Sequence, residues 1–240
     1  MVVDLQVDAA NKVVEEIKSC GRKAIAIKAD ISKSKDIKSM IEESIRTFGK
    51  IDILVNNAGA AGGGSLDASD EDEWDQVLAL NLKGAFLACK SAVPHMKKQR
   101  YGKIIFISSM GAVRPSVSVL AYHSAKAGII GLTRNLAFEL APFNIYANCI
   151  VPGPIETPFW DPLSKGMSAE RKKAFFAALA KKEVPLGRMG TPEDIAGPAL
   201  FFASELSSYV TGQVMCVAGG QPMLTTESTF ISSEESKAFR

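Results

Sequence analysis

The chain has 240 residues, of which 47% are hydrophobic and 22% charged, the balance of a folded globular domain and not of a disordered one. Lys+Arg 28 against Asp+Glu 26 leaves a net charge of +2, which offers no bulk electrostatic case for a nucleic-acid or membrane partner. The absence of a run of about 18 apolar residues argues against a transmembrane helix, and Met1-Val2-Val3-Asp4 does not open like a signal peptide.

In chain order, Val2-Val3 reads as the end of a strand, and Val7, Ala10, Val13, Val14 and Ile17 recur at helical spacing. Ala24 to Ala29 predicts a strand. Ser32 or Ser34 is placed to cap a helix whose apolar face is Ile37, Met40, Ile41, Ile45 and Phe48. Ile51 to Val55 predicts the next strand, and a long helical stretch with an interruption follows from Asp70 to Lys98. The remainder reads as strand Lys103 to Ser108, helix Ala121 to Leu140, strand Ile145 to Val151, an irregular segment to about Lys182, helix Pro192 to Ala203 and strand Val214 to Val217. Apolar strands alternating with helices predict an α/β fold: a doubly wound, Rossmann-like parallel sheet in three α/β/α layers. We expect one domain over 1–223 and a polar tail over 224–240.

Ligands of such a sheet bind beyond the carboxyl ends of the strands. Asp4, Asp30, Asn56 to Gly59, Ser108-Ser109 and Pro152-Gly153 all fall there, which predicts a single rim. Tyr122 and Lys126 stand at i and i+4 on one helix and so share a face. A free tyrosine has a pKa of about 10. A neighbouring ammonium favours phenolate, so the pair can donate and accept a proton. Taken alone, a Tyr-x-x-x-Lys match fits an ordinary helix surface as well. Ser109 precedes Tyr122 by thirteen residues at a strand end, where its hydroxyl can hold a substrate oxygen. Asn81 is polar within an apolar stretch and reads equally as a core amide. Cys20, Cys89, Cys149 and Cys216 are dispersed and neither histidine falls beside them, so no metal spacing exists and reduced thiols of a cytoplasmic protein are expected.

Taken together, these residues resemble the short-chain dehydrogenase/reductase family of nicotinamide-dependent oxidoreductases. The resemblance runs from Asp4 to about Gly220. It rests on Asn56-Asn57-Ala58-Gly59, Asn81, Ser109, Tyr122 with Lys126, Pro152 to Thr157, Pro185-Leu186-Gly187-Arg188, Pro192 to Ala196 and Thr211-Gly212-Gln213. It implies that Tyr122 is the acid or base, that Lys126 lowers its pKa and holds the nicotinamide ribose, that Ser109 orients the substrate oxygen, and that Asn81 holds a relay water. It further implies that Asp30 and Ile31 flank the adenine, that Asn57, Ala58 and Gly59 line the cofactor, and that Pro152, Gly153, Ile155 and Thr157 meet the nicotinamide. Phe159 to Lys182 matches the variable substrate lid, with Phe159, Trp160, Met167, Phe175 and Phe176 as an apolar wall or as lid packing. The family also implies a homodimer through the two long helices, or a homotetramer through the last helix and strand. The substrate class suggested is a 3-oxoacyl group or a cyclic ketone.

Asp4 ends the first strand, where a carboxylate can accept from the ribose hydroxyls and repel a 2′-phosphate. Leu5 and Gln6, not arginine, follow it, so NAD is expected over NADP. The chain departs from the family pattern by starting at what resembles the second strand. A Gly-rich strand-turn-helix of roughly 30 residues is then expected to be missing, and with it the amides that hold pyrophosphate. Its loss makes a catalytically impaired binding or assembly protein the alternative reading. Gly59 to Gly64 reads as a flexible rim loop and not as a substitute.

Overall fold

The computed structural model describes residues 1–114, 116 and 119–221; the expected tail over 224–240 lies outside them. Strands β1 (Val2–Asp4) and β2 (Ala26–Lys28) form a parallel pair. Strands β3 (Ile53–Asn56), β4 (Gly102–Ile107), β5 (Ile145–Pro152) and β6 (Val214–Val217) form a parallel sheet in that order. The helices are α1 (Val7–Ser19), α2 (Ser34–Phe48), α3 (Glu71–Leu78), α4 (Gly84–Gln99), α5 (Leu120–Leu140), α6 (Asp161–Ser164), α7 (Ala169–Glu183) and α8 (Pro192–Ala203).

The central strands β4 and β5 are mainly apolar because both faces of the sheet are covered there. On β4, Ile104 and Phe106 join the core with α2, α4 and α5, whereas Ile105 packs with Ile150 and Phe202 under α8. Helices on the two faces of this sheet give the layers that the sequence predicts. No ladder joins β1 to β3 among the described residues, and β3 leaves Ile53 44% and Val55 50% exposed while Leu54 packs on the core. Lys103 is buried within β4, its ammonium donating to the Ser204 carbonyl at 2.7 Å and the Ser207 hydroxyl at 3.0 Å, which ties the strand to the end of α8.

Three local expectations are corrected. Neither Ser32 nor Ser34 caps α2: Lys33 occupies the cap position, and the Ser32 hydroxyl donates to Asp30 at 2.6 Å, a local bond that outcompetes capping. The segment expected to be irregular up to Lys182 contains α6 and the 15-residue α7. Ser168 caps α7 by accepting from the Arg171 amide at 3.3 Å. The Ser-x-x-Arg start and the Ala/Lys/Glu-rich run were the available signals. The Gly62–Gly64 loop is pinned, since the Gly63 amide donates to Glu73 at 2.8 Å, Ser69 donates to the Gly63 carbonyl at 2.9 Å, and the Leu120 amide donates to the Gly64 carbonyl at 3.1 Å. Glu71–Gln99 is by length and composition apolar enough to cross a membrane. Its buried Ala88, Cys89, Ala92 and Met96 instead face the sheet, as in a core helix.

Candidate active site

The face of α5 turned to the sheet carries Tyr122, 8% exposed, and Lys126, 4% exposed. The Lys126 ammonium donates to the Ile107 carbonyl at the end of β4, at 2.9 Å. Ser108 donates to the Lys126 carbonyl at 2.8 Å, which fastens the helix to the same strand end and gives Ser108 a structural role. Ser109 has extended backbone and accepts from the Gly111 amide at 3.1 Å, and its hydroxyl lies near enough to that of Tyr122 to favour the phenolate. The strand end thus places Ser109 and Tyr122 side by side from different elements.

Burial pushes the Tyr122 phenol above its ordinary pKa, and the nearby Ser109 hydroxyl opposes this without overcoming it. The lowering by Lys126 that the resemblance implies is not among the causes of this shift. The ammonium sits 5.6 Å from the ring centroid, engaged with a carbonyl, and burial decides the direction. Burial also brings the Lys126 ammonium down to about 8, against a smaller raising influence of Cys149. The unfolded chain consequently holds one more proton than the folded chain between about pH 8 and the ordinary lysine value near 10.5. Stability therefore gains on the order of 3 kcal/mol from this group as pH rises through that window. The difference in urea-unfolding stability between the chain and Lys126→Met from pH 7 to 10 checks this: Cys89 and Cys149, raised by burial to about 12 and about 11, lower stability at the alkaline end in both, so the chain gains on the variant as pH rises.

Asn81 lies in a π-helical turn, Ala79–Lys83, which is the interruption expected between α3 and α4. Its amide donates to the Val77 and Ala60 carbonyls, both at 3.0 Å, and its Oδ1 is buried with no partner. Asn81 is thus a core amide on one side only. A Cβ built on Gly59 would lie 2.5 Å from that Oδ1 and 3.1 Å from the Lys126 ammonium, so the strand end after β3 abuts both side chains.

The other rim residues sit at strand ends as expected. Asp4 is exposed at the end of β1 and accepts from the Gln6 amide at 2.7 Å through one oxygen. Asp30 closes β2; its carboxyl is held below the ordinary range, chiefly by the Ser32 hydroxyl, and it also pairs with Lys33. Ile31 is half-buried beside it, while Asn57, Ala58 and Gly59 are exposed after β3. Pro152 ends β5, and Gly153 approaches Ala218 so closely that a Cβ would meet its Cα at 2.8 Å. Ile155 bridges to Gly190, and the Thr157 hydroxyl lies 3.5 Å from the Ile155 carbonyl. A cavity of about 140 Å³ opens beside Ile155, lined also by Val184, Leu186 and Ala218.

The lid reaches the site through aromatic rings. The Phe159 ring lies 5.7 Å from that of Tyr122, Trp160 lies 6.0 Å from Phe159, and Phe176 lies 6.3 Å from Trp160. The Trp160 indole donates to the Ile155 carbonyl at 2.7 Å, anchoring the start of the lid to the strand end. Arg188 makes a bidentate pair with Asp194 at 2.7 and 2.9 Å, and Asp194 also accepts from the Thr191 amide, which fixes the turn into α8. A larger cavity of about 540 Å³ lies between Gly64–Leu66, Arg114 and the Leu120, His123 and Ala127 side of α5; neither Tyr122 nor Ser109 lines it. The sequence reading missed Arg114 and Glu183, a largely buried ion pair between the loop after Ser109 and the end of α7. Sixty-nine residues separate them, so no local signal could have joined them.

A family model described as enoyl-(acyl carrier protein) reductase matches residues 1–221. The chain is 37% identical over 223 residues to the (2S)-((R)-hydroxy(phenyl)methyl)succinyl-CoA dehydrogenase subunit BbsD of Thauera aromatica, covering 93% of this chain and 86% of that one. It is 38% identical to the 3-oxoacyl-(acyl-carrier-protein) reductase FabG of Thermotoga maritima, covering 90% of this chain and 85% of that one. Among solved structures, a 7 alpha-hydroxysteroid dehydrogenase complexed with NADH and 7-oxo glycochenodeoxycholic acid superposes with a TM-score of 0.83 at 36% identity, covering 92% and 84% of the two chains. The fold, the clustered strand ends and these similarities converge: the chain belongs to the short-chain dehydrogenase/reductase family, as an NAD(P)-dependent oxidoreductase acting on an alcohol or ketone.

Proposed function

We propose that the chain interconverts a bulky, apolar secondary alcohol and its ketone, with NAD favoured over NADP and Tyr122 moving the proton at the substrate oxygen. The observation that carries this is the meeting of Ser109, Tyr122 and Phe159, which come from a strand end, a helix and the lid. Two polar hydroxyls and an aromatic ring together suit a substrate with one reacting oxygen and a hydrophobic flank. In oxidation Tyr122 accepts the hydroxyl proton; in reduction it returns a proton to the carbonyl oxygen. Ser109 holds that oxygen by hydrogen bonding. The Asn81 Oδ1, orphaned and buried beside Gly59 and Lys126, is placed to accept from a water that refills the proton through Lys126.

That orphaned acceptor and the notch at Gly59 also fit a dinucleotide along the rim. Lys126 would hold the nicotinamide ribose, and Asn57, Ala58, Gly59, Pro152, Gly153, Ile155 and Thr157 would line it. Asp30 and Ile31 would flank the adenine. When bound, the nicotinamide supplies the two-electron step.

Asp4 supports the choice of NAD, because its exposed carboxylate accepts from hydroxyls and repels a 2′-phosphate. The NADH named for the hydroxysteroid dehydrogenase accords with it. Asp4→Ala is expected to weaken NADH binding about tenfold and to leave NADPH binding equal or stronger, since a charge-assisted hydrogen bond is worth roughly 1.5 kcal/mol. Titration of nicotinamide fluorescence with both dinucleotides measures it.

The aromatic lid and the 3-oxoacyl and hydroxysteroid names of the relatives support an acyl or cyclic substrate. Exposed Phe86 and Phe138 on α4 and α5, and Leu200, Leu206 and Tyr209 at and after α8, support a homodimer or homotetramer. The free thiols of Cys20, Cys89 and Cys149 suit a reducing, cytoplasmic compartment. Incubation with NAD and either cyclohexanol or 3-hydroxybutyryl-CoA tests the activity through NADH absorbance. Turnover of either supports the reading, and failure of both together with oxidation of small polar alcohols overturns the apolar-substrate assignment.

A further inference from the structure

We propose that the Arg114–Glu183 ion pair is a clasp that positions the lid helix α7 against the loop bearing Ser109, and so sets substrate affinity. Its kinetic consequence rests on the Tyr122-centred reading above; the clasp itself does not.

The loop end of the clasp is a stiff turn. The Ala112 amide donates to the Ser109 carbonyl at 2.9 Å, the Arg114 amide donates to the Met110 carbonyl at 2.8 Å, and Ser109 caps the turn through its side chain. Arg114 is therefore coupled to Ser109 through one hydrogen-bonded unit. The lid end is Glu183, the last residue of α7, followed by buried Val184, whose amide donates to the Ala180 carbonyl at 2.9 Å.

The lid has two anchors of different kinds. At its start, Trp160 is hydrogen-bonded to the Ile155 carbonyl and stacks toward Phe176 of α7. This edge-to-face contact holds the rings together but carries no charge. At its end, the guanidinium–carboxylate contact is directional and charge-assisted, so it fixes the position of the helix. The side chains are 22% and 19% exposed, which leaves solvent less room to screen the pair than at an open surface. No other ion pair joins α7 to the Ser109 loop among the described residues; the remaining pair from α7, Lys172 to Asp161, stays within the lid. Arg114 also lines the 540 Å³ cavity, so the guanidinium would be free to swing there if Glu183 lost its charge.

The test uses the full chain, Glu183→Gln, which keeps the side-chain shape, and the charge-swapped Arg114→Glu/Glu183→Arg double variant. Amide hydrogen exchange over residues 169–183 is expected to rise about fivefold in Glu183→Gln, the scale of one partly exposed ion pair. With cyclohexanol and NAD, KM is expected to rise by a similar factor while kcat stays within twofold. The swap is expected to bring both values back toward those of the parent. Unchanged exchange in Glu183→Gln overturns the clasp, whether or not the swapped chain folds. Raised exchange with kcat falling and KM constant shows a helix held for stability only, and overturns the positioning role. If the parent chain oxidises no alcohol while exchange still rises, the substrate reading fails and the clasp stands.

Discussion

Tyr122→Phe is expected to lower kcat by about a thousandfold, within the range for loss of a positioned general acid or base. The substitution removes one oxygen and leaves the ring packing against Phe159 and His123. Stability should change little, by about 1 kcal/mol at most, because the buried phenol oxygen is removed together with its own need for a partner. The dissociation constant for NADH should hold within a factor of two, since the ring and Lys126 remain in place. Steady-state rates, thermal unfolding and NADH titration on one preparation separate these effects. A phenylalanine variant with near-parental turnover would remove Tyr122 from the chemistry. Because burial raises the phenol, the parent should also gain oxidation rate steadily toward alkaline pH, and the variant should show no such limb.

Gly59→Ala is expected to cost at least tenfold in activity with a small change in stability. The added methyl would lie 2.5 Å from the Asn81 Oδ1, a distance side-chain carbons do not tolerate, and 3.1 Å from the Lys126 ammonium. The lysine end can swing, but Asn81 is held by two carbonyls inside a π-turn and has little room to retreat. Relief must come from the exposed Asn57–Ala60 segment, which moves outward at the cost of the bond from Asn81 to the Ala60 carbonyl and displaces the proposed cofactor wall. Gly59 has no positive φ, so backbone strain plays no part and contact alone decides the outcome. The check is NADH affinity and turnover beside the thermal midpoint. Parental activity in the alanine variant would show that the strand end shifts without reaching Lys126.

The regular elements were readable because each is written in local periodicity. α1, α2, α5 and α8 and all six strands fall within a few residues of expectation, since apolar spacing reports which face is buried. An interruption of the Asp70–Lys98 helix is legible in the sequence, but its π geometry at Asn81 is not. α7 is less legible because Phe175 and Phe176 suit a pocket wall or lid packing without requiring a helix, and only the Ala, Lys and Glu around them favour one. The pinning of Gly62–Gly64 escaped because Glu73 and Leu120, which hold it, lie on other elements.

The sequence by itself determined the fold class, the family and the short set of polar residues at strand ends. Residue type and spacing carry that information, because covered parallel strands must be apolar and only their ends can hold polar groups. The tertiary structure alone decided the direction of the Tyr122 pKa, the orphaned Asn81 oxygen, the contact of Phe159 with Tyr122 and the pairing of Arg114 with Glu183. Each of these is a balance between burial and a partner distant in the chain. Desolvation and ion pairing depend on distances in space, and no spacing along the sequence encodes them.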